Sequence, residues 1–141
     1  MSPQSTPEVS SSFPHLLPVE RKLWVRFLSS HPGLFDRFDY DVHIGAGVMP
    51  SAKPGDPYAR NFRDLTQKRI DVIGWEGSEP TIIEIRERAD LGVIGKLVAY
   101  GKLWERENPL LPEPFLMLVC ASIGPDDRFV ATRSKVEIYV V

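Results

Sequence analysis

Asp71, Glu84 and Arg86 are the residues of this chain best spaced to do chemistry. The segments KRIDVIGW (68–75) and TIIEIRE (81–87) are strongly β-like, and EGSEP between them supplies turn residues, which predicts a hairpin. A two-residue turn on Gly77-Ser78 sets Asp71 opposite Glu84 and Arg69 opposite Arg86. The period of two along a strand then places all four side chains on one face. Opposed residues have Cβ atoms roughly 5 Å apart, near enough for two carboxylates to share one divalent cation. Such a pair, with a cation two residues after the second acid, suits phosphodiester hydrolysis. The acids hold Mg²⁺, which polarises the phosphate and lowers the pKa of a bound water, while the cation steadies the nucleophile or the developing charge.

Several elements must position that hairpin. Pro18 suits a first helical position, and VERKLWVRFLSS after it repeats Val19, Leu23 and Phe27 at helical spacing with Trp24 and Leu28 beside them. His31-Pro32-Gly33 ends this helix, and LFDRFDYDVHIGAGV alternates around Phe38, Tyr40, Val42 and Ile44 as a strand. From Met49 to about Phe62, three prolines and Gly55 argue against regular structure, leaving a long connection with Lys53, Arg60 and, just beyond it, Arg63. After the hairpin, Asp90 caps a helix running to Glu107, with Leu91, Ile94, Leu97, Val98, Leu103 and Trp104 apolar. PFLMLVCASI reads as a buried strand and VEIYVV as a final short one. The expected order is α-β-β-β-α-β-β. This is an α/β (α+β) fold with a mixed sheet and a central antiparallel hairpin flanked by helices. Ile70, Val72, Ile83, Ile85, Leu97, Leu116, Leu118 and Val119 are its expected core.

With the elements in place, Asp71 followed by Glu84-Ile85-Arg86 resembles the D…ExK core of the PD-(D/E)XK nuclease superfamily, and GKLVAY (95–100) is similar to its GQxxxY helix stretch. The resemblance spans about Val19 to Val141 and implies a restriction-endonuclease-like core. It implies Asp71 and Glu84 as metal acids, Glu20 as a candidate first-helix acid and Tyr100 as the helix tyrosine. Two positions depart from the pattern: Arg86 replaces the lysine and Lys96 the glutamine. A guanidinium stays charged and prefers bidentate oxyanion pairing, so Arg86 cannot act as a base. Lys96 and Tyr100 share one helical face at i,i+4, so Lys96 is the candidate to supply the missing ammonium. Arg69 is a candidate support for substrate or structure.

Plainer readings exist for each. Asp71, Glu84, Arg69 and Arg86 also suit a cross-strand charge network, Glu20 a helix-dipole acid, and Lys96 a snorkelling lysine. Trp24, Trp75, Trp104, Phe115 and Tyr139 suit core and interface better than base stacking.

Composition narrows the rest. The 141 residues carry 17 basic and 19 acidic side chains, a formal charge of −2 and pI near 5.9, so any basic footprint is local and a regulatory DNA-binding module is disfavoured. One cysteine, Cys120, excludes an internal disulfide, and three histidines make a Cys/His zinc site a poor fit, His31 and His43 being isolated. No apolar run approaches the roughly 20 residues needed to span a bilayer, and no secretory leader is evident, so no membrane partner is expected. Residues 1–17 read as a flexible Ser- and Pro-rich arm before a single domain at 18–141.

Two expectations of function follow. In the first, the chain is a tailed-phage virion or assembly protein on a nuclease-like fold, with the head-to-tail junction as its candidate place. It would bind other protein chains through the arm and the 49–62 connection, work in host cytoplasm and virion, and have lost most catalysis. In the second it is a Mg²⁺-dependent DNA endonuclease. Their discriminant is Arg86: if its guanidinium bridges both acids, it takes the metal's place.

Overall fold

Gly77, at φ +58°, and Ser78 turn the chain between β2 (Lys68–Glu76) and β3 (Glu79–Ala89), and Glu76 pairs with Glu79 and Val72 with Ile83, as a two-residue turn requires. The computed structural model of the chain describes residues 13–48 and 55–141, apart from the side chains of 62–65. Ahead of the hairpin, α1 (Pro18–Ser30) leads into β1 (Arg37–Ile44), which pairs antiparallel with β2. Downstream, α3 (Leu91–Glu107) returns the chain so that β4 (Phe115–Ile123) lies parallel to β3. A further helix, α4 (Pro125–Arg133), makes the same kind of return, and β5 (Val136–Val140) lies parallel to β4. The sheet is a five-stranded mixed one in the order β1-β2-β3-β4-β5.

Each face of the sheet buries its own cluster. Leu23, Trp24, Phe27 and Leu28 of α1 pack with Val72, Ile83, Ile85 and Val119 on one side. Val93, Ile94, Leu97 and Tyr100 of α3 pack with Ile70, Ile73, Ile82 and Leu118 on the other. Of the expected core, Leu116 is only partly buried, and Phe115, expected as filling, is 59% exposed.

Two helices were not expected. The connection expected to lack structure over 49–62 contains α2 (Pro57–Thr66), because a proline is tolerated at the first helical position, where its missing N–H would have had no partner. Asp56 Oδ1 accepts the Tyr58 N–H at 3.0 Å and so starts that helix. Residues 49–54, Lys53 among them, lie outside the described residues, as does the arm over 1–12. The chain just upstream of Pro18 is packed: Phe13 is 5% and Leu16 2% exposed, both in the α1-side cluster. The other addition, α4, also opens on a proline and carries Asp126 and Asp127 in its first turn, where the helix dipole favours negative charge.

Candidate functional site

At Asp71 the sheet comes apart. β2 pairs with β3 only as far as Val72 and Ile83, and in the β1 ladder Tyr40 pairs with Val72 and Val42 with Ile70, skipping Asp41 and Asp71. Asp41 there adopts φ +53°, a conformation that costs a non-glycine residue free energy and marks a local distortion of the strand, with no change of register on either side. Ile70 and Ile73 consequently face the same cluster, a break in strict alternation that releases the peptide groups of Asp71.

Side chains take over those peptide groups. The Asp71 N–H donates to Glu84 Oε2 at 2.9 Å, and the Ile85 N–H donates to Asp71 Oδ2 at 3.1 Å. His15 Nε2 lies 3.0 Å from the Asp71 carbonyl oxygen, which can only accept, so Nε2 carries the proton. The two carboxylates therefore substitute for a stretch of ladder, and this fixes their orientation. Because Ile83 and Ile85 face α1, Glu84 and Arg86 face the α3 side.

Arg86 closes the pair. Its Nη1 lies 3.2 Å from Asp71 Oδ2 and its Nη2 3.2 Å from Glu84 Oε1, while Nη1 also donates to the Ile85 carbonyl at 2.7 Å. Glu84 is fully buried, and burial first, then the Asp71 charge, pushes its carboxyl up to about 7 against the pull of the Asp71 N–H, Arg86 and Lys96. Burial works to lower the Arg86 pKa, but Glu84, Asp71 and Glu20 outweigh it and hold the guanidinium above its ordinary value.

The remaining candidates fall into two groups. Tyr100 and Lys96 look onto the pair from α3: burial, then Glu84 and Asp71, raise the Tyr100 pKa, and the Lys96 ammonium sits 5.8 Å from the Tyr100 ring centre. Arg69 is turned away, its Nη1 3.3 Å from Asp41 Oδ2 on β1, where the alternation of β2 breaks between Ile70 and Val72. Glu20 Oε1 accepts the Leu17 N–H at 3.2 Å, so it caps the start of α1 while adding its charge near Arg86. His31 stacks on Phe27 and meets Tyr139, with ring centres 4.9 Å apart in each case, and His43 stands exposed on β1. His15 is the site residue the sequence reading missed; it lies in the segment read as an arm, and nothing local signals that it reaches Asp71.

A divalent ion does not fit this arrangement as it stands. Such an ion takes six or more oxygens, several of them waters for Mg²⁺, and it needs free carboxylate lone pairs. Here Asp71 Oδ2 and both Glu84 oxygens are engaged by Arg86 or by backbone N–H groups. Among the described residues, no three His, Cys, Asp or Glu side chains gather as a metal-holding cluster.

No family model matches the chain, and no curated protein does. Solved structures do. The EndoMS protein, in its complex with double-stranded DNA, aligns at a TM-score of 0.52 and 13% identity over 89% of this chain and 46% of its own. The fold is restriction-endonuclease-like. A repair endonuclease from Pyrococcus abyssi aligns at 0.46 and 17% identity, over 52% of this chain and 32% of its own. The chain thus spans less than half of either protein, and the likeness to EndoMS, at 13% identity, establishes the restriction-endonuclease-like fold alone. No helix among the described residues is long and apolar enough to cross a membrane.

Proposed function

We propose that the chain is a DNA-binding protein of restriction-endonuclease-like fold in which Arg86, in place of a divalent ion, neutralises the Asp71–Glu84 pair, so that duplex is held without efficient cleavage. The observation that carries this reading is the guanidinium spanning both carboxylates at 3.2 Å. A guanidinium keeps its charge across the working pH range and pairs at two points with oxyanions, so it neither activates a water nor readily leaves. Lys96 is exposed on α3 and near enough to act on Glu84, and Lys68 is exposed on β2 three residues before Asp71, which gives a chain of formal charge −2 local cations for phosphate. The fold shared with EndoMS, whose structure is of a complex with double-stranded DNA, supports duplex as the polyanion.

A second reading, a Mg²⁺-dependent DNA endonuclease, is favoured by the Glu84 carboxyl held at about 7. That value means the pair and its buried setting are not fully compensated by Arg86, and a divalent cation would add the missing positive charge. In this reading Asp71 and Glu84 hold the ion once Arg86 withdraws, and Lys96 is the ammonium nearest them. The fold likeness lends no support to a tailed-phage origin or a head-to-tail assembly role.

Duplex binding followed by fluorescence anisotropy, beside plasmid cleavage in Mg²⁺ or Mn²⁺, separates the readings for wild type, Asp71→Ala and Glu84→Ala proteins of verified fold. The proposal expects saturable, salt-weakened binding and intact plasmid. Metal-dependent nicking lost in both variants would establish the endonuclease. Neither binding nor nicking would overturn both and turn attention to protein partners, through the arm and the 49–62 connection.

A further inference from the structure

The segment from Lys53 to Arg69 concentrates positive charge. It holds five of the chain's 17 basic side chains, Lys53, Arg60, Arg63, Lys68 and Arg69, against two of its 19 acidic ones, a local charge of +3 where the remaining residues together carry −5. A duplex presents negative charge at every step of its backbone, so affinity for it follows local rather than net charge. On α2, Tyr58 stands 85% exposed and Arg60 is exposed two residues further on. Arginine, lysine and tyrosine side chains are among the donors that bond phosphate and sugar oxygens.

The segment is also held in place. Ala59 of α2 is buried, the Val48 N–H donates to Thr66 Oγ1 at 2.7 Å, and Gln67 Nε2 donates to the Gly45 carbonyl at 2.7 Å. The Gly45 N–H in turn donates to Glu107 Oε2 at 2.8 Å, at the end of α3. These ties fix the segment against β1 and α3, so its cations are presented with little left to order on binding. Lys68 follows α2 by two residues and precedes Asp71 by three, a step of about 10 Å along a strand. The basic segment thus adjoins the acid pair on the pair's own strand.

We propose that α2 and the start of β2 form the surface that grips the backbone of duplex DNA, Arg60 and Lys68 each neutralising a phosphate and Tyr58 donating its hydroxyl to the same backbone. This rests on the reading of the chain as a DNA-binding protein and assigns the surface that does the binding.

Fluorescence anisotropy of a labelled duplex with the full chain, across a salt series, tests it. Each neutralised phosphate contributes about 0.9 to the slope of log affinity against log salt concentration, so Arg60→Ala and Lys68→Ala should each reduce that slope by about 1, and the double variant by about 2. Both side chains are exposed, so their truncation leaves the core intact. Tyr58→Phe should weaken binding severalfold at an unchanged slope, because the lost hydroxyl is uncharged. Arg133→Ala, exposed on α4 outside the segment, should change neither affinity nor slope. Duplex bound with a slope that Arg60→Ala and Lys68→Ala leave unchanged, or that Arg133→Ala reduces equally, overturns this surface and spares the DNA-binding reading, as does an affinity indifferent to Tyr58→Phe. A wild-type chain that binds no duplex overturns both.

Discussion

At Glu84 the carboxyl is buried, bonded to the Asp71 amide and faced by Arg86, and it titrates near 7 against an ordinary 4.5. The folded state therefore binds this proton more tightly than the unfolded one, so the stabilisation is complete below about 4.5 and is lost as pH rises through about 7. Its size is about 3 kcal/mol, from 1.36 kcal/mol for each pH unit of displacement. Urea unfolding at about pH 5 and about pH 8 should show the wild type weaker at the higher pH, and Glu84→Gln should flatten the difference. Arg86→Ala leaves two facing carboxylates without their cation and should cost about 3 kcal/mol at the higher pH. Calorimetry at the lower pH should show a smaller loss, because there Glu84 keeps its proton.

At the level of elements, the start of α3 is held by Asp90, whose side chain accepts the Val93 N–H at 3.1 Å, so Asp90→Ala should lower stability by about 1 kcal/mol in thermal melts. Gly74 in β2 is needed for space: a Cβ there would come 2.8 Å from the Phe35 ring, and Gly74→Ala should cost about 1–3 kcal/mol, partly recovered by Phe35→Leu. These elements differ in how much of them could be read beforehand. The hairpin register and the α3 cap are local: turn residues, alternation and one capping side chain carry them. The parallel return through α4 is not, since that helix buries only Ala131 and has little apolar periodicity, though Gly124-Pro125 followed by two acids was a usable start signal. Nor was the parting of β2 from β3 legible. It coincides with the distorted backbone of Asp41, on a strand distant in sequence, and the expected opposition of Asp71 and Glu84 did not reveal that their side chains would replace ladder bonds. Arg69, expected opposite Arg86, lies beyond the last β2–β3 pair, Val72 with Ile83, and its side chain meets Asp41 instead.

For the molecule as a whole, the two clusters meet through a shared sheet, and the α1-side one reaches upstream of the helix that seemed to open the domain. Phe13 and Leu16 belong to it, and Phe13 stands 5.0 Å from the Tyr40 ring between centres. A chain begun at residue 18 should unfold at lower denaturant than one begun at residue 13, by about 2–5 kcal/mol for the larger apolar side chains removed, and the paired midpoints measure it. Composition could not show this, because a Ser- and Pro-rich segment with two anchoring side chains at its end reads as uniformly polar.

The exchange of backbone for carboxylate at Asp71 and Ile85 also gives the protein a built-in gauge. Two main-chain amide protons point directly at the acids, so their resonance positions and rates of exchange with solvent register whatever neutralises those oxygens. A proton, a metal ion or an approaching phosphate would each move the pair of signals differently, while amides along the intact β3–β4 ladder stay still. An amide spectrum recorded during titration would thus report the occupant of the site without any probe attached to it.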